Sequence, residues 1–241
     1  MRIVIKRVTT SILMAVVVTS TMNQNLMAMG EDDPLLTMIK IDQFENAQGR
    51  DESTDVLEGY AWVGYDLDKI WLKVEAERSD GELEEAELQL LYGKAVSPFW
   101  NFQAGLRTDI EPSPSRNWAV IGFQGIAPYF LETDAALFVG ESGDTAARIS
   151  AEYELLITQK LILSPEFEFN FYAQEDLTLG IGSGLSDAEF GLRLRYEIRR
   201  EFAPYIGVNW TGKFGETSDF AKGAGERTSD TQIVLGIRAW F

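Results

Sequence analysis

The sequence predicts an all-β chain: a transmembrane up-and-down antiparallel β-barrel of about 12 strands. Three observations lead there. Alternation with a period of two runs from about residue 35 to the C-terminus, connections alternate between short turns and longer polar loops, and the last segment alternates up to a terminal Phe241. A strand sends successive side chains to opposite faces. A wall between lipid and a polar lumen is therefore written as apolar and polar residues in turn.

The first element is an address. Arg2, Lys6 and Arg7 precede the apolar run Ile12, Leu13, Met14, Ala15, Val16, Val17 and Val18, and the small residues Thr19, Ser20 and Thr21 follow. A basic start, a short apolar stretch and small residues make an export signal over residues 1–28, with cleavage after Ser20 or after Ala28. The apolar run is too short to cross a bilayer as a helix. Residues 29–34 form a short acidic segment with Glu31, Asp32 and Asp33, and the barrel occupies 35–241.

Twelve strand segments follow, near 35–45, 56–66, 69–78, 82–93, 98–110, 115–128, 130–140, 145–158, 160–172, 185–198, 202–212 and 230–241. In the tenth, Asp187, Glu189, Gly191, Arg193, Arg195 and Glu197 alternate with Ala188, Phe190, Leu192, Leu194, Tyr196 and Ile198. One face is polar and the other apolar throughout. The same holds for Trp71, Lys73, Glu75 and Glu77 against Ile70, Leu72, Val74 and Ala76, and for Glu152 and Glu154 against Tyr153 and Leu155. Segments of ten or more residues are long for a soluble sandwich, whose strands usually have five or six.

Short connections fall at 66–69, 96–98, 127–129, 158–160 and 199–201, and longer ones include 46–55, 174–184 and 213–229. Twelve strands place both termini on the short-turn, periplasmic side. Pro98, Pro128, Pro165 and Pro204 sit at or near short turns, where a missing N–H does least harm to a ladder. Phe99, Trp100, Tyr129, Phe130, Phe202, Tyr205, Trp240 and Phe241 gather there as an aromatic girdle at the membrane interface.

Composition limits the chemistry. The chain has 38 acidic and 21 basic residues, a formal charge of -17, which becomes -20 once a leader with three basic and no acidic residues is removed. Such a chain repels nucleic acid, so no nucleic-acid partner is expected. There is no Cys and no His, so a His-activated serine, zinc sites of the usual kinds and imidazole copper ligands are absent. Paired carboxylates such as Glu152 and Glu154 belong to a periodic face with many equals, and the run Gly180, Gly182, Gly184 precedes no helix pattern and reads as a flexible loop. No enzymatic role is expected.

If the apolar faces meet lipid, the polar faces line the lumen. The acidic wall would then include Glu75, Glu77, Glu85, Glu87, Glu152, Glu154, Glu166, Glu168, Asp187 and Glu189, with Lys40, Lys73, Arg107, Arg148, Arg193, Arg195 and Arg238 as basic partners. Two readings stand side by side: a salt-bridged polar filling, and a cation path in which the carboxylate surplus concentrates positive ions.

Long stretches of the chain resemble one known family. AELQLLYGKAVSPFWNFQAGLR (86–107), PSRNWAVIGFQGIAPYF (114–130), ALFVGESGDTAARISAEYELLITQKLILSPEFEFNFY (136–172), GIGSGLSDAEFGLRLRYEIRREFAPYIGVNW (180–210) and SDTQIVLGIRAWF (229–241) are similar to the CopB family of outer-membrane copper resistance proteins. The resemblance implies a twelve-stranded barrel in the cell outer membrane, in contact with outer-membrane lipid. It also implies copper as the associated metal, a role in copper resistance and homeostasis, and periplasmic copper-handling proteins as partners. The family's Met- and His-rich segment before the barrel is nearly absent here. The soft ligands left for copper are thioethers, with Met22, Met27, Met29 and Met38 as candidates; Met22, Met27 and Met29 fall in or beside the leader. Two alternatives remain, a passive narrow cation-preferring porin and a plugged structural barrel.

Overall fold

The computed structural model describes residues 33–50, 52–79 and 81–241. The export signal, Met22, Met27 and Met29 lie outside the described residues. The strands are β1 (Leu36–Gln48), β2 (Ser53–Gly64), β3 (Asp68–Ser79), β4 (Glu82–Ser97), β5 (Trp100–Glu111), β6 (Arg116–Ala127), β7 (Leu131–Gly140), β8 (Thr145–Glu152), β9 (Leu155–Leu156), β10 (Leu161–Tyr172), β11 (Gly184–Tyr196), β12 (Phe202–Lys213) and β13 (Ser229–Trp240), with an α-helix, α1 (Gly215–Ala224), between the last two. Each stave pairs antiparallel with the next in sequence, and β13 pairs with β1 to close the sheet. The short β9 continues the line of β8, so the closed barrel has twelve staves, as the alternation predicts.

Closure leaves no free edge, which is what a sheet in lipid requires, since every unpaired backbone group there is costly. The closing ladder pairs Lys40 with Trp240 and Asn46 with Leu235. The terminal Phe241 is part of it: its N–H donates to the Ile39 carbonyl at 2.8 Å, and the Ile39 N–H donates to its carbonyl at 3.0 Å. The start of β1 and the C-terminus thus sit at one end of the barrel, called here the terminal end. The other, the loop end, carries the two long connections, 173–183 and 214–228. That arrangement is the one in which the terminal end faces the periplasm.

The outer surface is apolar. Leu90, Leu106, Ile121, Leu137, Leu192, Ile206 and Leu235 all stand exposed along mid-strand positions, a belt suited to hydrocarbon. Phe99, Tyr129, Phe130 and Phe241 project at the terminal end as the girdle reading expects. Tyr205 does not: it is only 4% exposed and points inward, with its hydroxyl donating to Glu45 at 2.8 Å.

Three further departures have local causes. The loops at 49–52, 112–115 and 141–144 are short, because the strands run further than the alternation alone shows; the connection expected over 46–55 is mostly ladder. The stave expected at 145–158 breaks after Glu152. Tyr153 donates its N–H to the Pro165 carbonyl at 3.0 Å, but Pro165 has no N–H to return, so the ladder lapses until Leu155 pairs with Leu163. The loop expected over 213–229 contains α1. It ends at Gly225 in the left-handed conformation, φ 79°, which a residue without Cβ adopts freely.

Candidate lumenal site

The barrel encloses a cavity of about 520 Å³. Its wall comes from the polar faces of the strands. Nearest-neighbour register sets carboxylates side by side: Glu58 opposite Glu75, Glu75 opposite Glu87, Glu87 opposite Asp109, and Glu77 opposite Glu85. Like charges directly across a ladder destabilise a sheet, so counter-charges must reach them from elsewhere.

They reach across the lumen. Arg148 of β8 contacts Glu75 at 2.9 Å, Glu87 at 3.1 Å and Glu168 at 3.2 Å. Arg107 of β5 contacts Glu87 at 2.8 Å and Asp109 at 2.6 Å, and both Arg107 and Arg148 lie over the Phe138 ring. Lys73 pairs with Asp134 at 2.5 Å. Arg193 of β11 grips Glu45 at 2.8 Å and also pairs with Glu166. A guanidinium presents several donors in a rigid fork, which is why one Arg can serve two or three carboxylates.

Toward the terminal end the pattern continues. Arg238 contacts Glu152 at 2.7 Å, Asp42 at 3.2 Å and Glu154 at 3.6 Å, and Lys40 contacts Asp42 at 2.7 Å. Arg195 pairs with Glu154 and approaches Glu152 at 3.7 Å. Toward the loop end, the Asn170 amide donates to Glu168 and to Asp187, both at 2.9 Å.

The structure thus places Glu75, Glu77, Glu87, Glu152, Glu166, Glu168 and Glu189 around the cavity, with Glu154 and Asp187 held by its lining residues. Glu85 sits beside Glu77 on the same face. Met38 is half-buried on the lumenal side at the terminal end, opposite Trp62 of β2. It is a single thioether with no second soft ligand among the described residues, and among them no three acidic residues converge closely enough to hold a bare metal ion.

Two groups escaped the sequence. Glu45 is one. Strict alternation from Lys40 and Asp42 puts Phe44 inside and Glu45 outside, but β1 carries a bulge between Ile41 and Gln43 that shifts the facing by one residue. Phe44 then faces out and Glu45 is 5% exposed inside. The exchange of a charged for an apolar residue at that point was the available signal. Gly236 accommodates the result, since a Cβ there would lie 2.6 Å from both Glu45 and the Tyr205 hydroxyl. The second is an apolar wedge inside the barrel, where Trp71, Leu91, Trp118, Val120 and Phe138 pack together with Tyr60 and Trp62 against them. It fills the β2–β7 side and leaves the cavity narrow.

The comparisons with known proteins agree with this barrel. The family model described as Copper resistance protein B precursor (CopB) matches residues 35–241. Copper resistance protein B of Escherichia coli is 48% identical over 210 residues, covering 87% of this chain and 71% of the relative. The copper resistance protein B homolog of Pseudomonas syringae pv. tomato is 44% identical over the same length and coverage. Among solved structures, the NanC porin superposes with a TM-score of 0.56 at 13% identity, covering 85% of this chain and 99% of that one. The KdgM porin gives 0.50 at 11% identity, covering 84% and 98%. At such identities these two speak for the fold alone. The closed barrel, its apolar belt and the family match place the protein in the outer membrane, and the chain belongs to the copper resistance protein B family.

Proposed function

We propose that this barrel binds or passes copper cations at the cell boundary and performs no catalysis. The observation that carries the reading is the surplus of lumenal carboxylate. Lys40, Lys73, Arg107, Arg148, Arg193, Arg195 and Arg238 are each engaged by acids, yet Glu58, Glu77 and Glu85 take part in no ion pair among the described residues. A narrow, low-dielectric passage with unmatched negative charge raises the local concentration of cations. Copper as the cation comes from the family, whose named relatives are copper resistance proteins.

The test is a metal-sensitivity comparison of a deletion strain, with and without the gene restored, across copper, zinc and cobalt. A loss of tolerance confined to copper supports the reading; equal tolerance with and without the gene overturns it. A second reading, a plugged structural barrel, is favoured by the aromatic wedge and the cross-lumen ion pairs. Single-channel recordings separate the two, because a plugged barrel conducts nothing.

A further inference from the structure

The two ends of the lumen are built differently. At the terminal end the cavity lining reaches the rim, at Pro98, Phe99 and Ile126. Toward the loop end it stops at Glu77, Phe138, Arg148, Glu168 and Glu189. Beyond it on β5 and β6 stand Asp109, Trp118 and Arg116. Asp109 is 3% exposed and accepts from Arg107 at 2.6 Å, from the Trp118 indole at 2.8 Å and from Arg116 at 3.2 Å.

The connection 173–183, rooted on β10 and β11, comes over this layer. Thr145 of β8 holds its start: the Ala173 N–H donates to the Thr145 carbonyl, and the Thr145 N–H to the Gln174 side chain, both at 2.8 Å. Helix α1 holds its end: the Gly182 N–H donates to the Thr217 hydroxyl at 2.8 Å, and the Ser183 N–H and hydroxyl to Glu216 at 3.2 and 3.1 Å. Gly182 is so close to the helix that a Cβ would lie 2.4 Å from that of Glu216. Between these ties the chain folds back on itself, with Asp176 and Ile181 exchanging backbone hydrogen bonds at 2.8 and 2.9 Å. From this tip Asp176 reaches Arg116 of β6 at 3.6 Å. β7 and β8 lie between β6 and β10, and Arg116 stands opposite Asp109 in register, on the inward face. A tip that passes two staves to meet an inward side chain leans over the mouth.

The ties differ in kind. The base is held by several hydrogen bonds and by close packing against α1. The tip is held to β6 by an ion pair whose side chains are 21% and 36% exposed, and such a pair is weak and screened by salt. Arg116 also leaves its buried Nε without a partner among the described residues, so it gives up little on letting go. Gly180 and Gly184, at φ 67° and 86°, flank the base and supply turns that a residue without Cβ makes freely. A firm base and a weak tip make a lid rather than a fixed plug.

We propose that the 173–183 connection is a lid over the loop-end mouth of the lumen, latched by Asp176 on Arg116, and that release of this ion pair opens the barrel to the outside. The inference rests on the reading that the lumen passes cations, and it adds where that passage is controlled.

Single-channel recording of the full-length barrel in planar bilayers, in potassium chloride, tests it. Asp176→Asn keeps the acceptor oxygen that serves the Thr178 and Leu179 N–H groups and removes only the charge. Its open fraction should rise about threefold over the wild type, the scale expected of a weak, exposed ion pair. The chain has no cysteine, so Arg116→Cys plus Asp176→Cys introduces an isolated thiol pair. A bis-methanethiosulfonate that bridges the pair should close the channel, and dithiothreitol should reopen it. Equal open fractions in the wild type and Asp176→Asn overturn the lid while leaving passage through the lumen standing. If Asp176→Asn gives no heat-modifiable folded band, the thiol pair decides alone, and an open fraction unchanged on bridging overturns the lid. No conductance from the wild type, Asp176→Asn or the unbridged thiol pair overturns both the lid and the passage.

Discussion

The β2–β4 wall and the β11–β13 wall of the lumen differ in how their charge is balanced. The first presents Glu58, Glu75, Glu77, Glu85 and Glu87 with Lys73 as its basic neighbour; the second presents Arg193, Arg195 and Arg238 beside fewer acids. Neither wall is neutral within itself. Glu75 and Glu87 are matched by Arg148 of β8, and Arg193 and Arg238 are matched by Glu45 and Asp42 of β1. Balance is reached between staves rather than within them, so the ion pairs brace the barrel. The β2–β4 wall keeps what is left over. A device for stability alone would match every charge, and this one does not.

The largest expected effect comes from removing a brace. Arg148→Met leaves Glu75, Glu87 and Glu168 without their shared counter-charge, and breaking a buried pair in this way costs about 3–5 kcal/mol. The folded, heat-modifiable band should be strongly reduced at a given urea concentration. Adding Glu75→Gln and Glu87→Gln to the same chain should restore much of it. If the restoring changes have no effect, Arg148 matters for packing against Phe138 and not as a brace.

Next comes the outer wall, which contrasts with both inner ones. Leu106, 65% exposed in the middle of β5, faces lipid while its neighbour Arg107 is buried inside. Leu106→Arg puts a charge into hydrocarbon at a cost of up to about 2–4 kcal/mol near the midplane. Assembly into membranes, followed by fractionation, should drop accordingly. Normal assembly would mean that the facing assigned to β5 is inverted.

A smaller effect is expected at Tyr205→Phe. The hydroxyl donates to Glu45, which also accepts from Arg193, so the loss is one hydrogen bond to a charged acceptor, about 1.5–3 kcal/mol. The ring remains between Gly236 and Arg193, so the barrel should still assemble. A shift of the urea midpoint equal to that of Arg148→Met would make Glu45 and Tyr205 part of the same brace.

Most of the fold was legible because a period of two states which side each residue faces, and lipid and lumen demand opposite chemistry. Facing is only one coordinate. The alternation along β3 and β8 placed Glu75 and Arg148 inside, yet nothing in either string says that they meet, since that depends on strand tilt and on five staves of accumulated register. The errors fall where a single residue interrupts the period: the bulge near Asp42, which hid Glu45, and Pro165, which broke the eighth stave. Tyr205 was misplaced for another reason. Aromatic rings near a turn suit the interface and the lumen equally, and only the contact with Glu45 decides. The wedge around Trp71 and Trp118 was hidden because apolar residues on a polar face look like scatter until they are seen to touch.

The smallest effect is the most informative about why the β2–β4 wall is kept acidic. Glu77 and Glu85 stand directly opposite each other across β3 and β4, and neither is in an ion pair among the described residues. Facing like charges on a sheet are unfavourable by roughly 0.2–1 kcal/mol, so Glu77→Gln plus Glu85→Gln should leave the barrel as stable as before or slightly more so. The shape and hydrogen-bonding capacity of the wall are retained, and only two negative charges go. If the carboxylates attract cations into the lumen, the same variant should shift the reversal potential in planar bilayers toward lower cation preference and lower copper tolerance in cells. A gain in stability together with a loss of copper tolerance would mean that the unmatched charge is held against the interest of the fold. A gain in stability with selectivity and tolerance unchanged would assign these two residues to a solvated wall and confine cation attraction to the region around Glu58 and Glu189.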